Sequence, residues 1–116
     1  MSDRALAFIG RVLLAALFAA GALQKAWDPD AAEGLLAGRG LPEALVWPAL
    51  AINAAGALAL VTGWALRPAA LGLAIYCAGT SVFHFVPGDG WQMSIFVKNW
   101  AIAGGLLVLA GSEVRR

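Results

Sequence analysis

The stretch His84-Phe85-Val86-Pro87-Gly88-Asp89-Gly90-Trp91-Gln92-Met93-Ser94-Ile95-Phe96-Val97-Lys98-Asn99-Trp100-Ala101-Ile102-Ala103-Gly104-Gly105-Leu106-Leu107 decides how this chain is read. It holds the only histidine, a turn at Pro87-Gly88-Asp89-Gly90, and an apolar helical run carrying Lys98 and Asn99. In water this would be an ordinary turn and helix. The composition places it in lipid instead. Of the 116 residues, 61% are hydrophobic and 13% charged, whereas a soluble domain carries about 25% charged and 45–50% apolar residues. So little charge cannot cover a small globule with polar surface. A transmembrane helix takes about 20 apolar residues, so four spans with short links use up the chain. The expected fold is all-α: one integral membrane domain over 1–116, a four-helix bundle running up-down-up-down. Its spans fall near residues 5–25, 43–64, 68–86 and 92–111.

Working back from His84, residues 69–85 form the third span, opened by Arg67-Pro68. Tyr76, Thr80 and His84 stand at i, i+4 and i+8 and share one helical face. The link before them is so short that spans two and three must be antiparallel neighbours. Span two follows Leu41-Pro42 and carries Pro48, which either kinks it or marks its true start. Asn53 falls near mid-bilayer, where an amide serves to join helices by side-chain hydrogen bonds. Span one runs from Ala5 to about Lys25, interrupted by Arg11. Its Ala20-Gly21-Ala22 mimics a signal cleavage site, but the run is read as a retained first span. Arg11 is either an anchor to headgroups or an interhelical partner, although no span offers an acid to pair it. Between spans one and two, Asp28-Pro29 breaks the helix. Residues 30–39 then suit a short interfacial amphipathic helix in the first outer loop, or a partly ordered loop.

Charge sets the orientation. The side holding the N-terminus carries Arg4, Arg11, Arg67, Arg115 and Arg116 against Asp3 and Glu113. The other carries Lys25, Arg39 and Lys98 against Asp28, Asp30, Glu33, Glu43 and Asp89. The positive-inside rule therefore puts both termini in the cytoplasm.

On the outer side, His84 meets the turn with Asp89, and Gln92, Lys98 and Asn99 enter from span four. A charge at mid-membrane costs roughly 2.5–3.5 kcal/mol on insertion scales. Lys98 lies about 10 Å beyond Trp91 by helical rise, near the limit of snorkelling. Two readings stand side by side. In one, His84, Lys98, Asn99, Gln92 and Tyr76 line a polar pocket for a carbonyl-bearing lipid such as a quinone. Lys98 or Asn99 would donate to an oxygen, and a histidine there can relay a proton. In the other, Lys98 snorkels and His84 belongs to the interface.

Other chemistries lack their residues. The single cysteine, Cys77, allows no intrachain dithiol. One histidine cannot give bis-histidine haem ligation, and no haem or metal is expected. There is no phosphate loop and no basic run for nucleic acid.

The pattern also resembles a known family. Span one ends in Gly21-Ala22-Leu23-Gln24-Lys25 with Asp28-Pro29 after it. Gly40-Leu41-Pro42 precedes span two, and Gly63-x-x-x-Arg67-Pro68 joins spans two and three. His84 precedes Gln92-Met93-x-x-Phe96-x-Lys98-Asn99-x-Ala101-x-x-Gly104-Gly105-Leu106-Leu107. Over essentially the whole chain this resembles the DoxX family of small bacterial inner-membrane proteins. The resemblance implies a multi-pass four-helix bundle in that membrane. It also implies a loose link to redox chemistry: the family name comes from a relative of the membrane subunit of a thiosulfate:quinone oxidoreductase, and other members are associated with thiol-stress complexes. Members commonly carry Glu where this chain has Asn53. The substitution removes a partner for Arg11 or Lys98 and a proton carrier.

Two functions are expected. One is a quinone- or lipid-binding membrane subunit of an oxidoreductase system, with a partner subunit supplying the electron carriers. The other is a non-enzymatic anchor or assembly protein that recruits a partner through the 24–42 loop. A transporter would need a homo-oligomer, since four spans leave little room for a pathway.

Overall fold

The computed structural model describes residues 2–113; Arg115 and Arg116 of the charge argument lie outside them. Among the described residues there are five α-helices, two short 3-10 segments and no strand. Four helical stretches are long and apolar enough to cross a membrane: Asp3–Trp27, Glu43–Thr62, Leu66–His84 and Gly90–Ser112. The chain is an all-α membrane helical protein. Its residues group into two compact units, Met1–Trp64 and Ala65–Arg116, each a helical hairpin.

In the first unit, α1 spans Asp3–Trp27. Ser2 caps it, its hydroxyl accepting from Ala5 N–H at 3.1 Å, and Asp3 sits at the positive helix end. Only Ala15 and Phe18 are buried on α1. Arg11, Leu14, Gly21, Ala22 and Lys25 continue that strip half-buried, while Leu6, Leu13 and Leu23 lie exposed. A helix left this apolar on its outside is solvated by lipid. The helix stops at Asp28 because Pro29 follows.

Pro29 then opens α2, Pro29–Gly38, at its first turn. Of the two alternatives read in the sequence for this loop, a helix is the one found: α2 is helical, with no buried residue. It closes in a Schellman motif. Gly40 N–H donates to Ala37 C=O at 3.0 Å and Leu41 N–H to Leu36 C=O at 2.9 Å. Gly40, at φ +72°, supplies the left-handed residue that motif requires.

A 3-10 turn at Glu43–Leu45 leads into α3, Val46–Thr62. Pro48 is therefore a first-turn residue, where a missing N–H costs nothing, and it marks the helix start. The inward face of α3 is Val46, Asn53, Gly56, Ala57, Ala59 and Leu60. Small residues there let α1 approach closely. Gly63, at φ +79°, ends the helix, its N–H donating to Ala59 C=O at 2.8 Å.

In the second unit, α4 spans Leu66–Thr80 after Ala65, a non-glycine residue held at φ +49°. The third span is not α-helical to its end. Thr80 Oγ1 donates back to Tyr76 C=O at 2.8 Å and Ser81 Oγ to Ala78 C=O at 2.6 Å. Such back-bonding competes with the α ladder, and residues Ser81–His84 wind as a 3-10 turn. Tighter winding rotates His84 off the Tyr76–Thr80 strip that a continuous α-helix would have kept. A turn follows at Val86-Pro87-Gly88-Asp89, closed by Asp89 N–H to Val86 C=O at 3.0 Å, with Gly88 at φ +98°. Proline second and a positive-φ glycine third are the demands of a type II turn. Asp89 caps α5, Gly90–Ser112, its Oδ1 accepting from Gln92 N–H at 3.1 Å. Ala103, Leu106 and Ala110 are buried on α5.

Candidate functional site

All five residues singled out in the sequence belong to the second unit; His84 and Gln92 flank its turn, whereas Tyr76, Lys98 and Asn99 lie about two turns or more inside the helices. The 3-10 turn and the capped start of α5 converge at the turn. His84 Nδ1 and Gln92 Oε1 lie 2.7 Å apart, both side chains half-buried. The structure makes this pairing directly. Asn99 is also half-buried, two helical turns from Gln92 and on the same strip of α5, with Phe96 between them. Lys98 is exposed. At six residues from Gln92 it stands about 9 Å further along the helix and about 120° around it. Tyr76 is half-buried, more than two turns back along α4 from His84.

Sequence reasoning did not single out the aromatic side chains beside this pair. The Phe85 and Phe96 ring centroids are 5.2 Å apart, and Phe96 and Trp100 follow at 6.4 Å. Both distances suit favourable tilted aromatic contact. The available signal was the i, i+4 spacing of Phe96 and Trp100, on the flank of the Gln92–Asn99 strip. The α4–α5 hairpin thus carries an imidazole and an amide at its turn, with a short ladder of rings and a second amide running on from it along α5. It can hydrogen-bond the oxygen of a flat, largely apolar head group and stack beside it.

The polar residues of the first unit do structural work. Asn53 is buried, and its Nδ2 donates to Phe18 C=O on α1 at 3.3 Å. Gly21 makes room for it: a Cβ there would lie 2.5 Å from that nitrogen. The helix-joining role expected of Asn53 is the one found.

Arg11 answers the question the sequence left open. A Cβ on Gly63 would stand 2.7 Å from Arg11 Nη1. The guanidinium therefore packs on the C-terminal end of α3, with its carbon 5.5 Å from the Phe8 ring centroid. It is an interhelical partner after all. The negative end of a helix dipole takes the place of the missing acid. Arg67 does the same in the second unit, where its Nη1 donates to Ala110 C=O in the last turns of α5 at 3.4 Å.

On α2, half-buried Glu33 titrates above the usual carboxylate range. Loss of hydration raises it first, and the Glu43 and Asp30 carboxylates add to the effect.

No curated protein and no solved structure matches this chain. The profile of the DoxX family matches residues 6–86. The match runs from α1 to Val86, the first residue of the turn after His84, and stops short of Gln92, Lys98 and Asn99, so it covers less than the whole-chain resemblance read in the sequence. It still takes in more than half of the residues, and on that ground the chain belongs to the DoxX family.

Proposed function

We propose that this protein is a quinone-binding membrane subunit of an oxidoreductase system. The ligand head group sits at the turn end of the α4–α5 hairpin. The observation that carries this reading is the 2.7 Å contact between His84 and Gln92 beside the Phe85–Phe96–Trp100 rings. A polar pair one residue from Phe85 and one helical turn from Phe96, in an apolar hairpin, suits a ligand that is flat, oxygen-bearing and lipid-soluble. Asn99 extends the polar strip, and exposed Lys98 offers a donor toward the lipid from which an isoprenoid ligand would arrive. The charge distribution supports a periplasmic side of the inner membrane for this end and cytoplasmic termini. One cysteine and one histidine supply no set of cluster ligands, so electron transfer falls to a partner subunit.

Solvent extraction of protein purified in native-lipid nanodiscs tests the reading. About one isoprenoid quinone per chain is expected. It should be lost in the doubly substituted His84→Ala, Lys98→Ala protein. Occupancy no higher than in empty nanodiscs, or unchanged in the variant, removes the pocket.

A second reading, an assembly protein that recruits a partner, is favoured by one feature. The helix α2 is ordered, yet none of its residues is buried. Cross-linking from Glu33 or Leu36 in cells should then capture one specific protein. Adducts with lipid alone would argue against it.

A further inference from the structure

Gln92 does more than fill space beside His84. Its Oε1 is the atom 2.7 Å from Nδ1. With the amide oxygen turned to it, Nδ1 carries the proton, and a neutral imidazole then presents Nε2 as a bare acceptor. Both backbones are held in place. Gln92 N–H donates to the Asp89 cap, and His84 ends a 3-10 turn whose start is tied back by the Ser81 and Thr80 hydroxyls. His84 Nε2 has no hydrogen-bond partner among the described residues. Nor is it a sealed orphan, a condition found at Arg11 Nε. It is an accessible nitrogen, left as the acceptor by that orientation of the amide, one residue from Phe85 of the ring ladder.

Resting on the quinone-binding reading above, we propose that the site selects the reduced ligand. A hydroquinone hydroxyl donates to His84 Nε2. The oxidised quinone has carbonyl oxygens only, and at the same place it sets acceptor against acceptor, leaving both unpaired. Gln92 is the positioning residue, since it decides which imidazole nitrogen faces the ligand. Lys98, a donor to either form, stands on another strip of α5 and does not reverse the preference.

Equilibrium binding to the full chain in nanodiscs tests this. The probes are a radiolabelled benzoquinone with one isoprene unit and its hydroquinone, measured anaerobically at about pH 8.5, where an ordinary imidazole is neutral. The hydroquinone should bind about tenfold tighter. Gln92→Leu frees the tautomer and should bring the ratio near one; a merely structural role would weaken both forms alike. Equal affinities in the unsubstituted protein, or tighter binding of the quinone, would overturn the selectivity and leave the binding reading standing. Binding of neither form would overturn the reading itself, and the selectivity with it. The ratio in the unsubstituted protein decides the matter even if Gln92→Leu does not fold.

Discussion

Gly21 and Asn53 act as one joint. The amide reaches Phe18 C=O because position 21 has no side chain to obstruct it. Gly21→Ala should displace the amide and cost about 1–3 kcal/mol, the usual range for overpacking. Asn53→Ala should cost about 1 kcal/mol, in line with interhelical hydrogen bonds in membranes. The two costs should not add. In the Asn53→Ala background the Gly21→Ala penalty should fall below about 0.5 kcal/mol, because the obstruction is gone. Unfolding of the four proteins in mixed micelles measures the cycle, and strict additivity would show that the two residues are not coupled. The pairing was half legible in the sequence. A lone mid-span asparagine announces an interhelical bond, but which carbonyl it finds depends on a helix register that one sequence does not specify. Arg11 teaches the same lesson. With no acid in any span, its partner was the end of a helix, and a backbone dipole leaves no residue type to read.

At the scale of the element, each helix end has its own chemical cause. Ser2, Asp89 and the two prolines, Pro29 and Pro48, place helix starts, and Gly40 and Gly63 place stops at positive φ. The breaks at Asp28-Pro29, Gly40 and Pro87–Gly90 were legible in the sequence, Pro48 was left between a kink and a start, and the long helices lie close to where the sequence put them. Two features were not. The 3-10 winding at Ser81–His84 follows from hydroxyl back-bonding, which competes too evenly with the α ladder to be read from residue types. It is also what turns His84 away from Tyr76. Ala65 is the second, because alanine gives no warning of a left-handed conformation. At φ +49° it stores strain of about 1–2 kcal/mol. Ala65→Gly should relieve it and, after the extra chain entropy of glycine, raise stability by about 0.5–1 kcal/mol. A lower unfolding midpoint in the variant would mean that the alanine methyl group contributes more than the strain costs.

For the whole molecule, two hairpins share one construction. Each has a long helix, a shorter partner that opens or closes in a 3-10 turn, and an arginine of one helix set at the C-terminal end of the helix it packs with. Their surfaces are apolar where lipid would lie, with Trp27, Trp64 and Trp91 highly exposed at helix ends, as interface anchors are. Polar groups differ between the two units. In the first they join helices. In the second, His84 and Gln92 pair across the turn before α5. The chain has a single histidine, so 15N-histidine NMR in nanodiscs reports on that imidazole alone. At about pH 8.5 the free protein should show Nδ1 protonated and Nε2 bare, and the Nε2 resonance should move when hydroquinone is added. The opposite tautomer in the free protein, or an Nε2 signal untouched by saturating ligand, would contradict the account.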